Sequence, residues 1–276
     1  MLQLVQTLGL PFLACITMGS ILGYFGTHVL KREVIFVDIA LAQVASVGAI
    51  VGHLVFEAHH NSFLSYGCSL SAVFIVAGFY ALARKLIVQI SLEAVIGITY
   101  AVAAAAALFL VGTAPGGHIH VQKILSGSLL WTSRRDVVLA VVFFSAVGFC
   151  FYLVRKPLTS ISNNYQQAPD RGIRLVFWDF IFYLLLGVVI TLSVQMGGVV
   201  VVFAYLIIPA TISAIFTSRP GVKLIIILAA IGLASVTGLL FAYCLDFSIG
   251  PMIALMLGAE LVTAAVLGRF CLSHRQ

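Results

Sequence analysis

Apolar residues run along the chain in nine long stretches, at about 8–30, 34–56, 66–83, 93–112, 137–154, 175–195, 198–216, 222–243 and 250–270. Each is near the roughly 20 residues that a helix rising about 1.5 Å per residue needs to cross the hydrocarbon of a bilayer. The pattern predicts an all-α, polytopic membrane protein with about eight or nine transmembrane helices, its residues 1–276 forming one transmembrane domain.

Composition sharpens this. Of 276 residues, 62% are hydrophobic and 9% charged, and the mean hydropathy is +1.16. Soluble domains run nearer half apolar and a quarter charged, so a soluble enzyme is excluded. The five cysteines form no Cys-x-x-Cys pair and mostly sit in apolar stretches, where a thiol behaves as a small hydrophobe. The first stretch lacks the basic flank and cleavage site of a secretory signal and is expected to be a retained span. The net charge of +6 comes from the loops and points to the phosphates of a membrane surface, not to nucleic acid.

Placing the N-terminus outside and the C-terminus inside puts 12 of the 15 Lys and Arg in the cytoplasm, Lys31, Arg32, Arg84 and Lys85 among them. Lys123, Arg134 and Arg135 are the exceptions. They flank a short segment, Val121 to Trp131, expected to be re-entrant or interfacial. In this topology His59, His60, His118 and His120 lie outside with Glu57 and Asp246. The polar stretch 155–174, with two prolines and several amides, lies inside and is expected to be a loop that docks another protein.

The second stretch carries the most informative pattern. At 100° per residue, Asp38, Ala42, Ser46, Ala49, His53 and Glu57 share an arc of about 100°, with Val44, Val47, Val51 and Val55 opposite. A carboxylate in hydrocarbon costs a few kcal/mol, so this face should line water or a protein interface. Asp38 is either part of an ion's route or paired with a Lys or Arg near the helix end. His53 and Glu57, one turn apart, either share a cation or sit in wet interface. Glu57-Ala-His59-His60 and Gly116-Gly-His118-Ile-His120 offer carboxylate and imidazole ligands suited to Zn(II), Mn(II) or Fe(II). Such loops fit a funnel that passes an ion on better than tight coordination, since a permease must release its cargo.

Glu260 lies mid-span in the last stretch, and Glu93 opens the fourth. Carboxylates there are functional candidates, with structural alternatives: Glu93 favours the positive end of its helix, and Glu260 hydrogen-bonds a neighbouring helix. Gly19-x3-Gly23 and Gly48-x3-Gly52 allow close helix approach. Gly197-Gly198 should separate two spans tightly, and Pro209 should kink or break the helix that contains it, a hinge for gating. The chain holds no phosphate-cradling Gly-x4-Gly-Lys-Ser/Thr loop, no His-Glu-x-x-His and no Gly-x-Ser-x-Gly. ATP, if used, must be bound by another chain.

Four stretches together resemble the permease subunit of the ABC-3 family, bacterial ATP-driven importers of zinc, manganese or iron. They are Arg32-Glu-Val-Ile-Phe-Val-Asp38 through Gln43 to Gly48, Glu93-Ala-Val-Ile-Gly97-Ile-Thr-Tyr100, Gly198 through Pro209-Ala210, and Asp246-Phe-Ser-Ile-Gly250-Pro251. The resemblance covers about residues 20–265. It implies a vitamin-B12-importer-like (type II) permease in the bacterial inner membrane, working as a homodimer by alternating access. The partners implied are an ABC ATPase that binds ATP and an extracytoplasmic metal-binding protein; the cargo is a divalent metal ion, and no cofactor is held permanently. The family has an Asp followed four residues later by a His in the second helix. Here Gln43 stands at the His position, five residues after Asp38, so the two diverge by about 140°. The resemblance places the coupling helix at Ala168-Pro-Asp170-Arg171-Gly172, with amides where the family has acidic residues. A proton-coupled secondary transporter using Asp38 and Glu260 is the alternative reading.

Overall fold

A computed structural model of the chain describes residues 2–56, 63–86, 89–113, 129, 133–163 and 175–273. Nine helices occur among them: α1 (Leu2–Arg32), α2 (Val37–Phe56), α3 (Phe63–Leu86), α4 (Leu92–Thr113), α5 (Arg134–Asn163), α6 (Leu175–Gly197), α7 (Val199–Phe216), α8 (Pro220–Leu245) and α9 (Ile249–Ser273). No strand occurs among the described residues, and all nine helices are long and apolar enough to cross a bilayer. Each matches one predicted stretch. The expected segment Val121 to Trp131 lies outside the described residues except for Leu129, which is buried.

The largest difference is at the end of α5. The polar stretch from Arg155 was expected to be loop, yet the helix continues through Pro157 to Asn163. Leu158, Ile161 and Ser162 recur at helical spacing and are buried. Ser162 Oγ accepts from Arg32 Nε at 3.0 Å, and Asn163 Oδ1 accepts from Lys31 Nζ at 2.6 Å. Polar composition misled because these polar groups are bound to the end of α1.

The helices fall into two compact units. The first holds residues 1–30, 126–146 and 195–276. Within it α7, α8 and α9 pack on one another around Ile212, Ala230 and Ala264. Gly19, Gly23 and Gly26 line one face of α1 at i, i+4 and i+7. A Cβ on Gly19 would stand 2.7 Å from Ile231 of α8, and one on Gly26 would strike the Leu206 carbonyl of α7. Missing side chains here let two helix backbones meet.

Pro209 lies inside α7, which is unbroken from Val199 to Phe216, so of the expected kink or break the break does not occur. Proline removes the N–H that the Tyr205 carbonyl would have accepted. That carbonyl lies over the glycine face of α1, 3.7 Å from where a Gly23 Cβ would be. The glycine Cα–H groups can partly replace the lost donor. Gly198, by contrast, behaves as expected: it alone separates α6 from α7, and its φ of 81° is open to glycine without strain.

The second unit holds residues 31–125 and 147–194. Here α2 packs against both α3 and α4. A Cβ on Gly48 would lie 2.7 Å from the Cys68 carbonyl of α3, and one on Gly52 would lie 3.0 Å from the Cys68 Cβ. Gly187 of α6 similarly admits Val73 of α3.

Candidate functional site

Asp38 sits in the first turn of α2, behind the four-residue turn in which Glu33 takes a φ of 56°. The positive end of the helix favours a carboxylate there. Its side chain is fully buried, and neither oxygen has a hydrogen-bond partner among the described residues. The expected alternative, a pair with a basic residue near the helix end, is not formed among the described residues. The nearby Arg32 is engaged elsewhere.

Because α2 is continuous, the angular reading of its faces stands. Ala42 and Ser46 are buried with Asp38, whereas Ala49 is half-buried and His53 exposed. The polar face thus runs from a closed protein interior to an accessible end. Ser46 donates to the Ala42 carbonyl at 2.9 Å, which leaves its oxygen able to accept or ligate but spends its proton. Gln43, half-buried, lies on a different side from Asp38.

Glu260 belongs to the other unit and is described by itself. It is half-buried in α9, with Oε1 shielded from solvent and without a hydrogen-bond partner among the described residues. Thr263, one turn on, donates to the Glu260 backbone carbonyl at 2.8 Å, not to its carboxylate. Glu93 stands in the first turn of α4, where Ser91 Oγ accepts from the Ala94 N–H at 3.2 Å. A capped terminus with an acidic first turn fits a helix-dipole role.

Glu57, His59, His60, His118, His120, Ala168, Asp170, Arg171 and Gly172 lie outside the described residues. Among the described residues no group of three or more His, Cys, Asp and Glu could hold a metal ion.

Two polar clusters were missed in the sequence. Asp179 of α6 is buried and accepts from Arg32 Nη1 at 2.6 Å and from Arg84 Nη1 at 3.3 Å, while the Arg32 guanidinium lies 3.9 Å from the centroid of the Phe182 ring. An acid five residues into an apolar stretch was a signal, the same one that singled out Glu260. In the first unit Tyr205 of α7 and Ser235 of α8 share a 2.6 Å hydrogen bond, and Ser235 donates to the Ile231 carbonyl at 2.6 Å. No motif marks that pair.

A sequence model described as the ABC 3 transport family matches residues 5–268, nearly the whole chain. The chain belongs to the ABC 3 transport family. Among its ABC 3 relatives, the manganese transport system membrane protein MntC of Halalkalibacterium halodurans is 24% identical over 88% of this chain and 81% of that protein. The manganese import system permease protein ScaB of Streptococcus parasanguinis is 22% identical over 92% and 88%. The solved structure of PsaBC from Streptococcus pneumoniae in complex with Fab shares the fold, with a TM-score of 0.77 at 19% identity over 95% of this chain and 94% of that one. The all-helical permease architecture expected for an ABC 3 chain is the one observed.

Proposed function

We propose that the chain is the membrane-spanning subunit of an ATP-driven importer of a divalent transition-metal ion, with manganese, zinc and iron as the candidate cargoes. The observation that carries this reading is Asp38, a fully buried carboxylate in a span, without a hydrogen-bond partner among the described residues. A bilayer tolerates such a group at a cost of a few kcal/mol, and one left unsatisfied by the protein is of use to a passing cation. The manganese named for two relatives supports the cargo class. Family membership weighs against the proton-coupled alternative.

In this proposal two copies enclose the path and α2 lines it. A partner ATPase binds and hydrolyses ATP and acts through residues 164–174, with Ala168, Asp170, Arg171 and Gly172 at the contact. An extracytoplasmic binding protein delivers the ion to the side bearing His59, His60, His118 and His120. The chain sits in a bacterial inner membrane with its N-terminus outside. Glu57, His53 and Ser46 offer successive oxygen and nitrogen donors along the Asp38 face of α2, while Gln43, on another side of that helix, and Glu260 are further donors to the ion.

The test is metal-resolved accumulation in cells carrying the chain with its partners. Asp38→Ala should abolish uptake with the protein still present in the membrane. Normal uptake by that variant would sink the reading.

A further inference from the structure

Outside the α2 face, the second unit has an open cleft of about 800 Å³ between α3 and α6. Gly78, Leu82 and Lys85 line its α3 wall at i, i+4 and i+7, and Arg84 joins them at the helix end. From α6 come Phe177, Asp179 and Phe180. The cleft has a charged end and an apolar end. From Lys85 back to Gly78 is seven residues, about 10 Å of helix. One turn beyond Gly78, Phe74 meets the lining residue Phe180 edge to face with centroids 5.2 Å apart.

Three features describe the occupant. The lining side chains carry two cations and one carboxylate, and Asp179 is also bound to Arg32, so the charged end favours an anion. The cleft lies at the last turns of one candidate membrane span, Leu64–Leu86, and the first turns of another, Leu175–Gly197, so from its charged end it runs inward along both spans toward the depth where a bilayer holds acyl chains. Leu82, one turn inward from Lys85, is exposed. A soluble partner could reach only the charged end, whereas an amphiphile matches both. Basic pockets between helices at the membrane surface bind lipid headgroup phosphates in this manner.

We propose that this cleft is a binding site for an anionic phospholipid, with the phosphate against Arg84 and Lys85 and one acyl chain laid along Gly78, Leu82 and Phe180. Gly78 is open because it has no side chain: a Cβ there would meet only the Phe180 ring, at 3.7 Å.

The test is lipid retention by the detergent-purified full-length chain, read by native mass spectrometry after incubation with phosphatidylglycerol or phosphatidylcholine. Phosphatidylglycerol should be retained in preference. Lys85→Gln, which leaves the Asp179 pairs intact, should weaken that retention about fivefold. Gly78→Leu, which removes no charge, should reduce it by filling the groove. Equal retention of the two lipids would overturn the proposal, as would wild-type retention of phosphatidylglycerol by both variants. Complete competition by inorganic phosphate alone would mean a free anion site and would overturn it too.

Discussion

Arg32 Nη1 donates to Asp179 Oδ1 at 2.6 Å, with both side chains shut away from solvent. The pair joins the end of α1 to α6, and Arg84 of α3 adds a longer second contact to the same carboxylate. Removing one partner of a buried pair strands the other charge and costs about 3–5 kcal/mol. Asp179→Ala takes the carboxylate from two guanidiniums at once, whereas Arg32→Ala leaves Asp179 with Arg84. We expect Asp179→Ala to lower the thermal midpoint of the purified protein more than Arg32→Ala does. The double change Arg32→Met with Asp179→Leu should recover part of that loss.

Two glycines should respond oppositely to the same substitution. A Cβ on Gly26 would enter the Leu206 carbonyl, which is backbone and cannot swing aside, while one on Gly232 would meet nothing within 4 Å. Gly26→Ala forces α1 and α7 apart and should destabilise by about 1–3 kcal/mol. Gly232→Ala, inside α8, should be stabilising by about 0.5–1 kcal/mol. Thermal unfolding of the two variants beside the parent protein decides this; a neutral Gly26→Ala would refute the close approach.

The helices were legible because a span must be about 20 apolar residues long whatever packs around it. The glycine faces of α1 and α2 were legible for a similar reason, since a repeat of small residues at i, i+4 has one common use between helices. Side-chain pairing was not. Arg32 and Asp179 are 147 positions apart, and nothing in either one's neighbours names the other. Arg32 read as one more basic loop residue, although it is buried and stacked on Phe182. Pro209 misled in part: its local rule predicts a kink or break, and α7 runs unbroken past it with the Tyr205 carbonyl facing the glycines of α1. Asp38 was found from its helical arc alone, yet its lack of a hydrogen-bond partner among the described residues could be seen only once the surrounding helices were in place.

Tyr205 and Ser235 allow a coupling energy to be measured inside one unit. Tyr205→Phe removes the phenol and leaves Ser235 bonded to the Ile231 carbonyl, so its cost should be small, about 0.5–1.5 kcal/mol. Ser235→Ala deprives the buried Tyr205 hydroxyl of its 2.6 Å partner. Polar pairs between membrane helices couple by about 0.6 kcal/mol and reach about 1.7 at most. Unfolding free energies of both single variants and the double variant should therefore be less than additive by about that amount. Strict additivity would show that the two hydroxyls do not stabilise each other.

The polar face of α2 yields the sharpest functional prediction, because its accessibility changes along its length. His53 is exposed, whereas Ser46 and Asp38 are buried. If α2 lines an alternating path, the closed part must open when the partner ATPase changes its nucleotide. The native cysteines 15, 68, 150, 244 and 271 would first be replaced by serine or alanine, and single cysteines placed at 46 and 53. His53→Cys should react with a membrane-impermeant maleimide in every nucleotide state. Ser46→Cys should react in one state and be protected in another. Equal, complete protection of position 46 with ATP, ADP and no nucleotide would leave Asp38 permanently sealed within the protein, and a permanently sealed carboxylate cannot hand on an ion.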